Sequence, residues 1–132
     1  METTGRHLLI EYFGCAFNVL NDAAKIQSQM EAAARAAQTT ILHSYFHPFK
    51  PQGVSGVVVV EESHLSIHTW PEKGYAAVDF FTCGVGHPRE AHKVMMQAFE
   101  AAGCEIIYVE RGLNPTRDSS NLCMRVISHT LA

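Results

Sequence analysis

An α+β fold, a two-layer sandwich with a mostly antiparallel sheet and two helices on one face, follows from three features of the 132-residue sequence. Strand-like segments outnumber helical ones, and their order reads β-α-β-β-β-β-α-β. The links between the central strands are short and carry Pro or Gly, which favours antiparallel neighbours. The run Val57, Val58, Val59, Val60 is apolar at consecutive positions, the pattern of a strand buried on both faces. Two helices on one side leave the other face bare. A second protomer is expected to cover it.

Each element has a local cause. The first strand is expected near residues 7–13. A helix over 22–37 follows from Ala23, Ile26, Met30, Ala33 and Ala37 recurring at helical spacing, with Asn21 or Asp22 as its cap. Strands are expected at 40–46, 54–60, 65–70 and 75–82, separated by Pro48, by Pro51-Gln52-Gly53 and by Pro71-Glu72-Lys73-Gly74. A second helix starts at Pro88, carries Ala91, Val94, Met95, Ala98 and Ala102 inward, and stops at Gly103. A strand returns at 105–110. The segment 112–121 is polar and loop-like, and 122–127 is a candidate short strand.

Composition narrows the function. An apolar content of 47% in a chain this size supports one domain over 1–132, and a second core would not fit. The formal net charge is -3 and no run of Lys or Arg occurs, which argues against nucleic acid or an anionic membrane as partner. No segment has the ~20 apolar residues of a membrane span, and the METTGRHLLIEYFG start lacks a signal-peptide core. A cytoplasmic location is expected. Cys15, Cys83, Cys104 and Cys123 are widely spaced with no CxxC pair, a pattern of reduced thiols.

The chemistry gathers at Glu62-Ser63-His64, where the valine-rich strand meets its successor. A serine hydroxyl attacks its own chain only where the backbone is strained and a neighbour stabilises the oxyanion. A tight turn between strands is suited to both. The two-residue period puts His64, Ser66, His68 and Trp70 on one face of the second strand, and His68, placed on the limb opposite the turn serine, is compatible with reach of it. The string ESHLSIHTWPEKGYAAVDFFTCG, with GRHLLIE near the start and HPFKPQGVSGVVVV before the turn, closely resembles the short prokaryotic S-adenosylmethionine decarboxylase proenzymes. The resemblance spans residues 5–111.

That resemblance implies a self-cleaving enzyme. Ser63 attacks the Glu62 carbonyl to give an ester, and removal of the Ser63 α-proton expels Glu62 as a carboxylate. The products are a β chain, 1–62, and an α chain, 63–132, whose first residue becomes a pyruvoyl group. Such a group condenses with a substrate amine and acts as an electron sink, as pyridoxal phosphate does elsewhere. The implied product is decarboxylated S-adenosylmethionine, the aminopropyl donor for spermidine. The family also implies a homodimer with sites at the interface.

Residue by residue, the resemblance assigns roles that a blander reading would not. Taken singly, Ser63 is an ordinary turn serine, His68 a packed strand histidine, Cys83 a buried small hydrophobe and Ser55 a strand serine. By resemblance His68 removes the α-proton in processing, Cys83 protonates the substrate α-carbon and the Ser55 hydroxyl holds the processing intermediate. Phe49 and Trp70, otherwise core aromatics, are placed around the adenine, and Glu72 at the ribose hydroxyls. His43, His47, His64 and His68 invite a metal reading, but a strand separates His64 from His68 by over ~12 Å, so no metal is expected. Lys73 has no phosphate cradle to make it a pyridoxal anchor. It stands where the family pattern implies an aromatic, which keeps arginine or ornithine open as alternative substrates. An unprocessed binding or regulatory module on the same scaffold is the reading from another class.

Overall fold

The computed structural model describes residues 3–84, 86–118 and 121–132. Seven strands form one sheet, β1 (Gly5–Phe13), β2 (Thr40–Pro48), β3 (Val54–Glu61), β4 (Ser63–Trp70), β5 (Tyr75–Thr82), β6 (Gly103–Arg111) and β7 (Met124–Leu131). Their order is β2-β3-β4-β5-β1-β6-β7, and every neighbouring pair is antiparallel. The expected α+β sandwich is therefore present. Hairpins give β2 to β5 in sequence order, and β1 then inserts between β5 and β6, carrying its side chains against residues far along the chain.

Three helices accompany the sheet: α1 (Phe17–Leu20), α2 (Ala23–Ala36) and α3 (Pro88–Ala98). Asp22 caps α2 by accepting a hydrogen bond from the Lys25 amide at 3.0 Å. Asn21, the other cap candidate, instead accepts from the Gly53 amide at 3.0 Å and ties α1 to the turn after β2. Ile26, Met30, Ala33 and Ala34 from α2 join Ala91 and Met95 from α3 in one core with Leu8, Ile10, Val58, Leu65, Ile67, Val78 and Phe80 from the sheet. Burying a side chain the size of Met30 or Leu65 is worth about 1.5–3 kcal/mol.

Two local expectations need correction. Helix α3 ends at Ala98, not at Gly103, because Glu100 adopts a left-handed φ of 53° and the Ala102 amide turns to the Phe13 carbonyl at 2.8 Å. Gly103 is thus the first residue of β6. The last strand is β7 at Met124–Leu131, later and longer than 122–127, and it pairs with β6 from Glu105 to Arg111. In the loop expected at 112–121, residues 119 and 120 lie outside the described set.

The face away from the helices is open. Within the valine run, Val58 and Val60 are buried, whereas Val59 is 37% exposed on the other side. Leu9, Phe13 and Tyr45 share that face by register and are also exposed. Ser66 and Asp79 lie between Tyr45 and Leu9 in the same row of the sheet, so this face mixes exposed apolar side chains with polar ones. Among the described residues no helix is long and apolar enough to cross a membrane.

Candidate active site

The turn between β3 and β4 is as short as such a turn can be, with Val60 paired to Ser63 across Glu61 and Glu62. Ser63 has φ of 128°, a conformation that costs a side-chain-bearing residue about 1–3 kcal/mol. The Glu62–Ser63 bond defines that torsion, so breaking the bond releases the strain. The Cys83 amide donates to the Glu62 carbonyl at 3.2 Å, which polarises the carbon that Ser63 is assigned to attack and offers a donor to its developing oxyanion. Ser63, Cys83, Glu61, Glu62, Val59, Val60 and Leu42 line one cleft of about 460 Å³.

Cys83 follows β5 and is held there by close packing. A Cβ on Gly5 would lie 2.5 Å from the Phe81 ring and 3.0 Å from the Cys83 sulfur, so the first residue of β1 has no room for a side chain. Burial and the nearby Glu62 carboxylate push the Cys83 thiol up, against a smaller opposing pull from Arg111. The group is therefore a protonated thiol at neutral pH, the form a proton donor requires.

His68 lies elsewhere. It is on the same strand as Ser63, five residues on, a separation of roughly 16 Å at about 3.3 Å per residue. The expectation that it reaches the turn is not met within one chain. The cause is the position of the turn: Ser63 already begins β4, so it and His68 lie on one limb of the hairpin rather than on two. His68 instead pairs in register with Ser55 on β3, and both line a cavity of about 350 Å³ on the open face with Ser66, Asp79, Leu9 and Glu11.

Aromatic rings surround His68. Its ring centroid is 4.2 Å from that of Trp70 and 5.6 Å from that of Phe49, and His47 lies 4.9 Å beyond Phe49. Tyr75 stacks on Trp70 at 4.9 Å with an interplanar angle of 21°. Sequence reasoning missed Tyr75, although its place opposite Trp70 across the short link was a usable signal. Glu72 and Lys73 are exposed on the 3-10 turn Pro71–Lys73 that joins β4 to β5. His43 is an exposed residue of β2.

A second group that sequence reasoning did not assemble lies between the two ends. His7 on β1 donates from Nε2 to Asp79 Oδ2 on β5 at 2.6 Å, Ser66 on β4 donates to Asp79 Oδ1, and His64 Nε2 is 3.4 Å from Asp79 Oδ2. Arg111 Nη1 donates to His7 Nδ1 at 2.9 Å, an arrangement in which Nδ1 accepts and Nε2 faces Asp79 as donor. Burial would raise the Asp79 carboxyl, but the hydrogen bonds from His7 and Ser66 outweigh it and hold the group below the usual carboxylate range. The donor atoms of His7, His64 and Asp79 lie within 4.8 Å of one another. With a guanidinium bonded to the same imidazole, they form a hydrogen-bonded relay around a carboxylate. Its members come from β4, β5, β1 and β6, and only the insertion of β1 into the sheet brings them together.

Similarity to known proteins agrees with this geometry. Residues 6–112 match the family model for S-adenosylmethionine decarboxylase. The chain is 51% identical over 114 residues to an S-adenosylmethionine decarboxylase proenzyme from Moorella thermoacetica, covering 86% of this chain and 91% of that protein. A proenzyme of the same name from Pyrococcus horikoshii is 45% identical over 114 residues, covering 86% and 82%. The crystal structure of the adenosylmethionine decarboxylase from Aquifex aeolicus superposes with a TM-score of 0.75 at 33% identity, covering 92% of this chain and all of that one. The chain belongs to the S-adenosylmethionine decarboxylase family.

Proposed function

We propose that the chain is a self-processing precursor that cleaves between Glu62 and Ser63, decarboxylates S-adenosylmethionine through the resulting pyruvoyl group, and works as a pair of copies that complete each other's sites. The observation that carries this reading is the division of one constellation along one strand, with Ser63 and Cys83 at the turn end and Ser55 and His68 roughly 16 Å away at the other. A two-fold axis lying between two open sheet faces and running across the strands reverses strand direction in the partner. It thereby lays the His68 end of one copy over the Ser63 end of the other. The exposed apolar side chains of Leu9, Phe13, Tyr45 and Val59 support burial of this face.

In processing, Ser63 Oγ adds to the Glu62 carbonyl carbon and displaces the Ser63 nitrogen, giving an ester. The imidazole of a second copy's His68 then takes the Ser63 α-proton, the Glu62 carboxylate leaves, and water releases the nitrogen as ammonia. The residues present fit the group so formed, because the serine that becomes it sits on a strained turn whose scissile carbonyl already has a hydrogen-bond donor. The pyruvoyl group supplies the electron sink for loss of carbon dioxide. Cys83 holds the proton for the substrate α-carbon, Phe49 and Trp70 offer faces for adenine, and Glu72 accepts from the ribose hydroxyls. The relatives are named for S-adenosylmethionine, which does not favour arginine or ornithine.

The test is complementation. Ser63→Ala alone and His68→Ala alone are expected to give uncut chains with no decarboxylase activity. Co-expressed, they form mixed dimers in which one site has an intact Ser63 from one copy and an intact His68 from the other, so random pairing restores roughly a quarter of the wild-type sites. Mass spectrometry of the mixture reads the cut chains directly. No cleavage in a verified mixed dimer would overturn the shared site, and cleavage of Ser63→Ala by itself would overturn the mechanism.

A further inference from the structure

The base that activates Ser63 must lie close to its hydroxyl, and His68 of the same copy does not. Ser63 Oγ is 3.4 Å from Nδ1 of the adjoining His64, whose Nε2 in turn is 3.4 Å from Asp79 Oδ2. Asp79 is held by hydrogen bonds from His7 and Ser66, and His7 is fixed by Arg111. The order of groups is serine, imidazole, carboxylate, with the carboxylate anchored on its far side. A carboxylate beside Nε2 favours a proton on that nitrogen and leaves Nδ1 with its lone pair toward the serine. The ring of His64 is steadied by Phe81 at 6.0 Å and by His7 edge-on at 6.3 Å.

We infer that His64, oriented by Asp79, is the catalytic base for the first step of self-cleavage, and that this step is completed within a single copy. The inference rests on the self-processing reading above and divides its labour: His64 serves the acyl shift, and a second copy's His68 serves the elimination. As Oγ bonds to the Glu62 carbonyl carbon, its proton passes to His64 Nδ1. As the bond from that carbon to the Ser63 nitrogen breaks, the proton passes to the nitrogen. The products are an ester and an amine, with no net gain or loss of protons. The Cys83 amide faces the carbonyl oxygen throughout. Ser63, His64, Asp79, Cys83, His7 and Arg111 all belong to one chain, so no second copy is required for the ester to form.

Wild-type, His64→Ala, His64→Phe and Asp79→Asn chains are to be followed from a freshly refolded uncut state, with hydroxylamine used to cut any ester after Glu62. His64→Phe keeps a ring against Phe81 and removes the base. Both His64 variants are expected to form the ester at least ~10²-fold more slowly than wild type, the lower range for a positioned acid or base. Added imidazole should restore cleavage in His64→Ala and leave His64→Phe uncut, which a merely structural role would not produce. Asp79→Asn should slow ester formation while an intact His64 remains. His68→Ala, by contrast, should accumulate the hydroxylamine-labile ester at the wild-type rate. Ester formation at the wild-type rate in either His64 variant would overturn the inference and leave the decarboxylase reading intact. A wild-type chain that never cuts would instead speak against that reading itself.

Discussion

At the turn end of β4, Ser63 has strained backbone, a polarised carbonyl beside it, a raised thiol and a hydrogen-bonded relay one strand away. At the other end, Ser55 and His68 face each other across regular strands, with Phe49, Trp70 and Tyr75 packed around the imidazole. The first end holds groups suited to breaking the chain and moving protons. The second holds aromatic surface suited to a flat, weakly polar ligand. A rigid strand cannot bring its own two ends together, and this is the ground on which the two sets of groups are proposed to meet between copies.

The sharpest way to break the contrast is at the turn end. Cys83→Ala is expected to lower decarboxylation by ~10²- to 10⁴-fold, the usual worth of a positioned acid. Its backbone amide, and so the donor to the Glu62 carbonyl, survives the substitution, and cleavage should persist in part. Without the thiol, protonation should shift toward the pyruvoyl carbon, and the α chain should gain an N-terminal alanine that intact mass detects. Turnover at the wild-type rate would remove Cys83 from the mechanism.

At the aromatic end the effect should be smaller and of another kind. Trp70→Ala or Phe49→Ala removes one stacking face worth about 1–3 kcal/mol, which converts to roughly 5- to 150-fold weaker use of S-adenosylmethionine. Self-cleavage should continue, because neither ring supplies a group that forms the ester or takes the α-proton. Trp70 has the larger expected loss, since Tyr75 stacks on it and would lose its partner as well. Equal damage to cleavage and turnover would show that the two ends are less separate than their distance implies.

Much of this was legible along the chain, because hairpins are local. The alternation Leu65, Ile67, Thr69 inward against His64, Ser66, His68 outward is what the structure shows, and the valine run marks β3. The relay was not legible. His7 and Asp79 are 72 residues apart, and Arg111 is 104 from His7, so no local pattern links them. Their meeting depends on β1 choosing β5 and β6 as neighbours, a decision of the whole sheet. The reach of His68 was misjudged for a different reason. One residue in the placement of the turn moves Ser63 from a corner onto β4 itself, and a strand's fixed rise then sets the distance.

The smallest expected effect concerns pH and sharpens the account of the turn end. Donation by Cys83 requires a protonated thiol, so turnover should fall as pH rises through the thiol's pKa. Burial and Glu62 raise that value above the ordinary 9.0, which places the alkaline fall of activity above the usual thiol range. Glu62→Gln removes the side-chain part of the second cause and leaves burial, and the carboxylate at the cut end, in place. The alkaline limb should therefore move to lower pH, while the rate on the neutral plateau changes little. A pH profile of kcat for the cleaved variant measures the displacement, and a parallel Arg111→Gln profile should move the opposite way, because Arg111 favours the thiolate. If neither substitution moves the limb, a group other than Cys83 donates the proton, and the division of roles along β4 would have to be redrawn around it.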